Sequence, residues 1–249
     1  MNRRMPMWAM VAIAAFVLVL AGAVGGPYVY IHYIEGAAPA PLSVNTSTSG
    51  SPSAAATSPS ASASGAAASS GSSSSSLDGT WKVATGSTAG YRVQETLFGQ
   101  SNTAVGRTSS LTGSLSVSGD TVSAGTFTAD LTTVSSDKSQ RDHQFQGRIM
   151  DTSTYPTAKF VLTQPIALGS VPANGVAVTK QATGDLTLHG TTKSVTFSVS
   201  IKKTGSTVAA SGSIPVLFAD YNIANPSFAG VVTTADNGAL EFLLNFTRS

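Results

Sequence analysis

Alternation between apolar and small polar residues is clearest between Gly184 and Ile201. A period of two over such a run predicts half-buried β-strands, with one face on an apolar interior and one in water. Between the two alternating halves lies His189–Thr192, where Gly190 can adopt positive φ, so the run predicts an antiparallel hairpin. The apolar positions are Leu186, Leu188, Val195, Phe197, Val199 and Ile201.

Similar strand-like runs recur along the second part of the chain, with glycine-containing turns between them. Many short antiparallel strands in sequential order, about eight or nine here, predict a β-sandwich or an up-and-down barrel. The predicted strands are Thr80–Thr85, Gly90–Glu95, Ser110–Val117, Thr121–Leu131, Ala158–Thr163, Val176–Thr187, Ser194–Lys203, Thr207–Leu217 and Ala239–Thr247.

One stretch, Ser135–Met150, is polar, charged and not alternating. Ser135 or Ser136 can cap a short helix there, with Asp137 in its first turn. We therefore expect a helical crossover lying over one end of the sheet, followed by a turn at Tyr155-Pro156.

The first residues, 1–36, predict a membrane anchor. An apolar run from Met7 to about Ala23 follows Arg3 and Arg4, and roughly 20 apolar residues are enough to span a bilayer. The arginines would stay cytoplasmic, so the rest of the chain is expected to be extracytoplasmic, on a single-pass protein of the cell membrane. The alternative is a cleaved signal peptide, because residues 21–23 resemble a cleavage site.

Residues 37–76 consist almost wholly of Ala, Ser, Thr, Pro and Gly. Such a composition buries too little apolar surface to fold, which predicts a disordered linker with a root-mean-square reach of roughly 35 Å. The remaining residues, 77–249, are long enough for one domain with a substantial core.

The composition excludes several classes of site. The chain has no cysteine, three histidines and a formal net charge of +2. Disulfides, thiolate nucleophiles and cysteine-built metal sites are therefore excluded, and there is no basic footprint for nucleic acid. Neither a Gly-x-Ser-x-Gly elbow nor a glycine-rich phosphate loop occurs, so we predict neither catalysis nor a metal site.

Three motifs resemble those of the YceI-like family. They are Arg141-Asp142 in the crossover, Tyr155–Phe160, and Gly184–Val195, and the resemblance covers about residues 79–249. It implies an antiparallel eight-stranded lipocalin-like barrel that holds an amphiphilic chain, typically a polyisoprenoid, in its apolar interior. No cofactor is implied beyond this non-covalently bound lipid.

The chain departs from the family's pattern at three places. Gln144 stands where the family usually has a histidine, Tyr91–Glu95 lacks the histidine common in that strand, and Phe218–Ile223 lacks an arginine. These polar positions are the ones expected to touch a ligand's head group, so its identity stays open.

The expected ligand contacts are the aromatic side chains facing the interior and the polar residues of the crossover. Arg141 and Asp142 either meet the head group at the barrel mouth or form an ion pair that pins the crossover helix. His143 either faces solvent or contacts the ligand. The candidate residues are Phe127, Arg141, Asp142, His143, Phe145, Tyr155, Phe160, Phe197, Phe218 and Tyr221.

Together these features predict a membrane-tethered lipid-binding protein that stores, shields or transfers an isoprenoid quinone or a prenyl phosphate. The main alternative is a cell-surface or stress-response interaction module whose barrel is filled with side chains. A third is an enzyme that uses Arg141, Asp142 and His143. The oligomeric state does not follow from the sequence.

Overall fold

The computed structural model describes residues 37–45, 76–97, 99–227 and 232–249. The predicted membrane anchor, 1–36, and most of the predicted linker lie outside the described residues. Within the described part of the chain, no helix has the length and apolar character needed to cross a membrane.

The described strands form one antiparallel sheet. Each predicted strand is present, and three further strands, β3, β7 and β11, were not predicted. The strands are β1 Gly79–Val83, β2 Thr88–Leu97, β3 Gln100–Thr108, β4 Leu111–Ser118, β5 Thr121–Asp130, β6 Thr157–Leu162, β7 Ile166–Ala167, β8 Ala177–Leu188, β9 Thr191–Thr204, β10 Thr207–Leu217, β11 Val232–Thr234 and β12 Asn237–Arg248.

The sheet closes into a barrel through β12. This strand pairs with β10 on one side and with both β1 and β2 on the other. β1 and β2 pair with successive parts of the same edge of β12. On their other side, β4 pairs with β1 and β3 pairs with β2. The ring therefore contains eight strand positions: β1/β2, β3/β4, β5, β6, β8, β9, β10 and β12. The predicted antiparallel eight-stranded barrel is confirmed.

The hairpin predicted within Gly184–Ile201 joins β8 and β9, with Leu188 opposite Thr191. Its two turn residues, His189 and Gly190, both have positive φ, 48° and 74°. Positive φ at both positions is the requirement of a type I′ turn, whose twist matches that of the flanking strands.

The crossover between β5 and β6 covers one end of the barrel, as expected. It comprises a 3₁₀ turn at Leu131–Thr133, helix α1 at Ser139–Gln144 and a π-helical turn at Phe145–Ile149. The predicted cap was wrong, because Lys138 occupies the N-cap position without a capping side chain. A second 3₁₀ turn, Phe218–Tyr221, follows β10.

The opposite end of the barrel is closed by Trp81. Its indole Nε1 donates a hydrogen bond of 2.7 Å to the carbonyl oxygen of Leu77. The Arg248 guanidinium lies over the indole, 5.4 Å from the ring centroid. These contacts tie the first and last strands together where the sheet closes.

Residues 37–45 differ from the sequence prediction. The whole of 37–76 was expected to be disordered, yet 37–45 lies against the outer face of the barrel. The Val44 amide donates to Ser211 Oγ at 3.0 Å, and the carbonyl oxygens of Pro39 and Ala40 accept from arginines of the sheet at 2.6 and 2.8 Å. The predicted disorder therefore does not hold for these residues.

Gly184 in β8 offers a test of the packing inside the barrel. A Cβ at this position would overlap the carbonyl oxygen of Val161 and the ring of Phe160. We expect Gly184→Ala to lower the free energy of unfolding by about 1–3 kcal/mol, because overpacking forces neighbouring groups to move. Guanidinium unfolding of the full-length protein in detergent, followed by circular dichroism, measures the change.

Gly147→Ala is the matched control, since a Cβ at Gly147 meets nothing within 4 Å. The free energy of unfolding of this variant should change by no more than about 1 kcal/mol, and in the stabilising direction. Equal losses for the two variants would contradict the packing described for Gly184.

Candidate functional site

The barrel is hollow. A cavity of about 1160 Å³ occupies its interior and is lined mainly by apolar residues from the strands and the crossover. The sequence left open whether side chains fill the barrel. In the structure they do not, and the space exceeds the roughly 300–1,000 Å³ of a typical small-molecule pocket.

Aromatic side chains form one part of the cavity wall. Phe197 makes edge-to-face contacts with Phe160 and Phe242, at centroid distances of 5.4 and 5.8 Å, and Phe127 packs against Phe246 at 5.7 Å. Rings that pack on one another in this way hold fixed positions. The wall is therefore rigid on this side and does not collapse into the cavity.

Small residues form another part of the wall and leave the space. Their inward positions on β5, β6, β8 and β10 are filled by Gly125, Ala129, Ala158, Ala182 and Ala210. In an eight-stranded barrel the inward side chains can just fill the interior. Because glycine and alanine occupy these positions instead of large side chains, the interior is not filled and a cavity is left.

Charged residues meet the cavity at its crossover end. Arg141 of α1 reaches the Glu95 carboxylate of β2 at 3.3 Å and also pairs with Asp137. Asn102 of β3 donates to the same Glu95 oxygen at 2.7 Å. Glu95 is largely buried, with 12% of its side chain exposed, so these partners are needed to stabilise its charge.

Arg148 lies on the same rim. It donates to the carbonyl oxygen of Pro226 at 2.9 Å and to the Gln144 side chain at 3.1 Å. Both rim arginines are thus engaged by protein acceptors. Lys159 and Glu241 also belong to the lining, but the alternation of β6 and β12 places their side chains on the outward face.

Tyr91 of β2 connects the rim to the apolar wall. Its ring stacks on Phe145 with a centroid distance of 4.9 Å and an interplanar angle of 17°. Burial raises the pKa of Tyr91 well above its usual range, so the phenol keeps its proton. A neutral hydroxyl group therefore lines the cavity beside Glu95 and Arg141.

The structure brings six of the ten predicted site residues together around the cavity. These residues are Phe127, Arg141, Phe145, Phe160, Phe197 and Phe218. Whether any of them contacts a ligand stays a prediction.

The other four predicted residues do not line the cavity. Asp142 accepts hydrogen bonds from the amide and hydroxyl groups of Ser136, and His143 is exposed on α1. Tyr155 packs on His189 at a centroid distance of 4.6 Å. Tyr221 is 2% exposed, and its hydroxyl has no hydrogen-bond partner in the described part of the chain.

The predicted ion pair between Arg141 and Asp142 is wrong in its partner. Arg141 does tie the crossover helix to the barrel, but through Glu95 rather than Asp142. Neighbours on a helix, one residue apart, point in different directions and cannot pair easily. Arg141 therefore holds the crossover helix on the barrel as predicted, and the carboxylate that binds it comes from β2.

Sequence reasoning missed Asn102 as part of the site. It placed Tyr91–Glu95 among the polar positions expected to touch a head group, but it did not select Tyr91 or Glu95 as site residues. The partners of Glu95 come from β3 and α1, and the sequence did not place either element beside it. The signal that was present is a charged residue at an inward position of an alternating strand. Within the described ranges, no three His, Asp or Glu residues are grouped closely enough to hold a metal ion.

Solved structures of other proteins have the same fold, and two of them are compared with this chain. A polyisoprenoid binding domain from Saccharophagus degradans, implicated in plant cell wall breakdown, is 16% identical, with a TM-score of 0.57 over 68% of this chain and 98% of its own. BcnA of Burkholderia cenocepacia is 22% identical, with a TM-score of 0.50 over 64% and 95%. At these identities the likeness shows the fold alone.

No curated protein sequence matches the chain. The family model of the YceI-like domain matches residues 81–246, from within β1 to within β12, and so spans the closed barrel. The chain therefore belongs to the YceI-like domain family.

Proposed function

We propose that this protein is a membrane-anchored, extracytoplasmic carrier that holds one isoprenoid lipid with an uncharged head group, such as a quinone, in its barrel. The observation that carries the proposal is the apolar cavity of about 1160 Å³ with charged residues at only one end. The cavity fits a molecule with a long apolar chain and a single polar terminus. We propose no catalytic step.

The size and lining of the cavity suit a long chain. At about 30 Å³ per water-sized group in a liquid, the space corresponds to roughly 40 such groups. Each buried methylene contributes about 0.8 kcal/mol, so binding needs no specific chemical group along the chain. The rigid aromatic wall keeps the space open before the ligand enters.

The rim favours an uncharged head group. Arg141 is already paired with Glu95 and Asp137, and Arg148 donates to protein oxygens. A diphosphate would have to displace one of these acceptors and lie near the buried Glu95 carboxylate, which repels it. The protonated Tyr91 hydroxyl can instead donate a hydrogen bond to a quinone oxygen.

The comparisons support a lipid ligand but do not name it. One protein of the same fold is described as a polyisoprenoid binding domain, and the chain itself belongs to the YceI-like domain family. The membrane anchor is proposed from residues 1–36 alone. The hollow interior supports a carrier over the alternative of an interaction module with a filled barrel.

Blocking the cavity should abolish lipid binding. Ala129 of β5 lines the cavity, whereas Ala124 of the same strand is exposed and outside the lining. We expect Ala129→Trp to weaken binding of a long-chain quinone by at least about tenfold, which is 1.4 kcal/mol, and Ala124→Trp to leave it unchanged. Native mass spectrometry of the full-length protein released from micelles measures the occupancy.

The two variants must first show the same β-sheet circular dichroism as the parent. If Ala129→Trp binds as the parent does, the lipid lies outside the barrel. If the parent binds neither quinones nor prenyl phosphates, the carrier proposal is wrong.

The engaged rim arginines and the buried Glu95 predict a selectivity for the head group that one substitution changes. The parent should bind a quinone in preference to a prenyl diphosphate of equal chain length. We expect Glu95→Gln to raise the affinity for the diphosphate by about tenfold, because one charge repulsion of about 1 kcal/mol or more is removed. Competition between the two lipids, read by native mass spectrometry, measures the ratio.

Asp120→Asn is the control, since Asp120 lies in the turn between β4 and β5 at the far end of the barrel. It should leave the ratio unchanged. Preference of the parent for the diphosphate would contradict the uncharged head group while leaving the lipid-binding barrel intact.

A further inference from the structure

Three residues on the outward face of the barrel are buried where exposure to water is expected. Val105 of β3, Ser211 of β10 and Glu241 of β12 are only 6, 5 and 6% exposed. None of them belongs to the apolar core cluster inside the barrel, and Val105 lies opposite the outward Arg92. Something on the outer surface must cover them.

The segment 37–45, here called the strap, lies on this part of the outer surface. Its Pro39 and Ala40 lie over β2 and β3, where their carbonyl oxygens accept from Arg92 and Arg107, and its Val44 reaches Ser211 of β10. Since β12 lies between β2 and β10 in the sheet, the strap spans the outer face from β2 and β3, across β12, to β10. Leu42, Ser43 and Val44 are partly buried by this contact.

A carboxylate and two guanidinium groups on the outer face of the barrel form the binding site for the strap. Glu241 accepts from Arg92 Nε at 2.7 Å and from Arg107 Nη2 at 3.2 Å. The carboxylate thereby fixes both guanidinium groups, and each turns a further N–H toward a strap carbonyl. Such charge-assisted hydrogen bonds are stronger than neutral ones and are already oriented before the strap arrives.

The sequence of the strap suits docking in an extended form. Pro39 and Pro41 have fixed φ and no amide hydrogen, so they lose little freedom and leave no donor unpaired on the barrel surface. Ala40 precedes a proline and is therefore biased toward extended backbone, which presents its carbonyl to Arg107. A preorganised segment costs less entropy to dock.

We propose that the strap sets the distance between barrel and membrane. The proposal rests on the anchor of the proposed function, because the strap begins directly after residue 36. With the strap docked, only Ala37 and Ala38 separate the anchor segment 1–36 from Pro39, which is at most about 11 Å of chain from residue 36 to residue 39. The full linker, if undocked, would allow roughly 35 Å.

The Ala/Ser-rich run 46–75 then has a different role from the one its composition predicts. It joins Asn45, next to the strap's contact with β10, to Ser76, whose carbonyl accepts from Arg248 at the end of β12. Both of its ends lie on the same barrel, so its length adds nothing to the reach of the domain. The barrel stays beside the bilayer, where a lipid leaving the membrane meets it.

Two insertions of equal length separate this proposal from a simple tether. Twenty Gly/Ser residues, about 25 Å of root-mean-square reach, are placed either between Gly36 and Ala37 or between Ser60 and Ala61. The chain has no cysteine, so Thr126→Cys, exposed on β5, carries a single donor dye. Energy transfer to acceptor lipids in vesicles reports the distance of the full-length protein from the bilayer.

The insertion before Ala37 should lower the transfer efficiency, and the insertion after Ser60 should leave it at the parent value. Equal losses from both insertions would overturn the proposal. If the protein appears in the soluble fraction, the membrane part of the proposal is wrong, whereas lipid binding in the barrel is tested separately and is unaffected.

Docking itself is tested in the full-length chain by disulfide formation. Val44→Cys with Ser211→Cys should form a disulfide in oxidised glutathione, since the Val44 amide and Ser211 hydroxyl are hydrogen-bonded and bridged Cα atoms lie about 4.4–6.8 Å apart. Val44→Cys with Thr126→Cys, on a distant strand, should not. Equal yields for the two pairs would show that the strap is not docked.

A release variant completes the test. Replacing 37–45 by Gly/Ser residues of the same length should make the two insertions lower the transfer efficiency equally. If the insertion after Ser60 still has no effect in this variant, the strap does not control the distance.

Discussion

The pairing of β12 with both β1 and β2 is the constraint on which the rest of the structure depends. It closes the sheet, so the long strands have no free edge and every inward side chain faces a shared interior. In a ring of eight strands the choice of inward residues alone decides whether this interior is full or hollow. The small residues on β5, β6, β8 and β10 make it hollow, and the edge-to-face phenylalanines keep it from collapsing.

Period-two alternation lets one strand serve both faces of that wall. On β2, Glu95 points inward to the cavity rim and Arg92, three residues earlier, points outward to the strap. Each belongs to a carboxylate–arginine cluster, Glu95 with Arg141 and Arg92 with Glu241. One cluster holds the crossover over the cavity, and the other holds the strap on the outside. The same kind of ion pair thus attaches both peripheral segments to the closed sheet.

The long strands were predictable because one face of each is apolar and the other is in water, which gives a local pattern. β3 was missed because Gln100–Thr108 is mostly small and polar, and its pairing with β2 rather than its own sequence makes it a strand. The contacts within the cavity rim were missed for a related reason. Glu95 and Asn102 face each other in the β2–β3 hairpin, so this contact was missed together with β3. Arg141 reaches Glu95 only once the crossover lies over the barrel, and no spacing along the chain reveals that contact.

The strap shows where composition fails as a guide to order. Low apolar content predicts disorder because a segment cannot bury enough of its own surface. Residues 37–45 do not need to, since the buried charges that bind them belong to the barrel, and Ser211 lies 167 positions from Val44. Composition therefore places the start of the predicted disordered linker at residue 37, whereas the contacts place it after Asn45. The predicted linker therefore contacts the barrel at both of its described ends, through 37–45 and through Ser76.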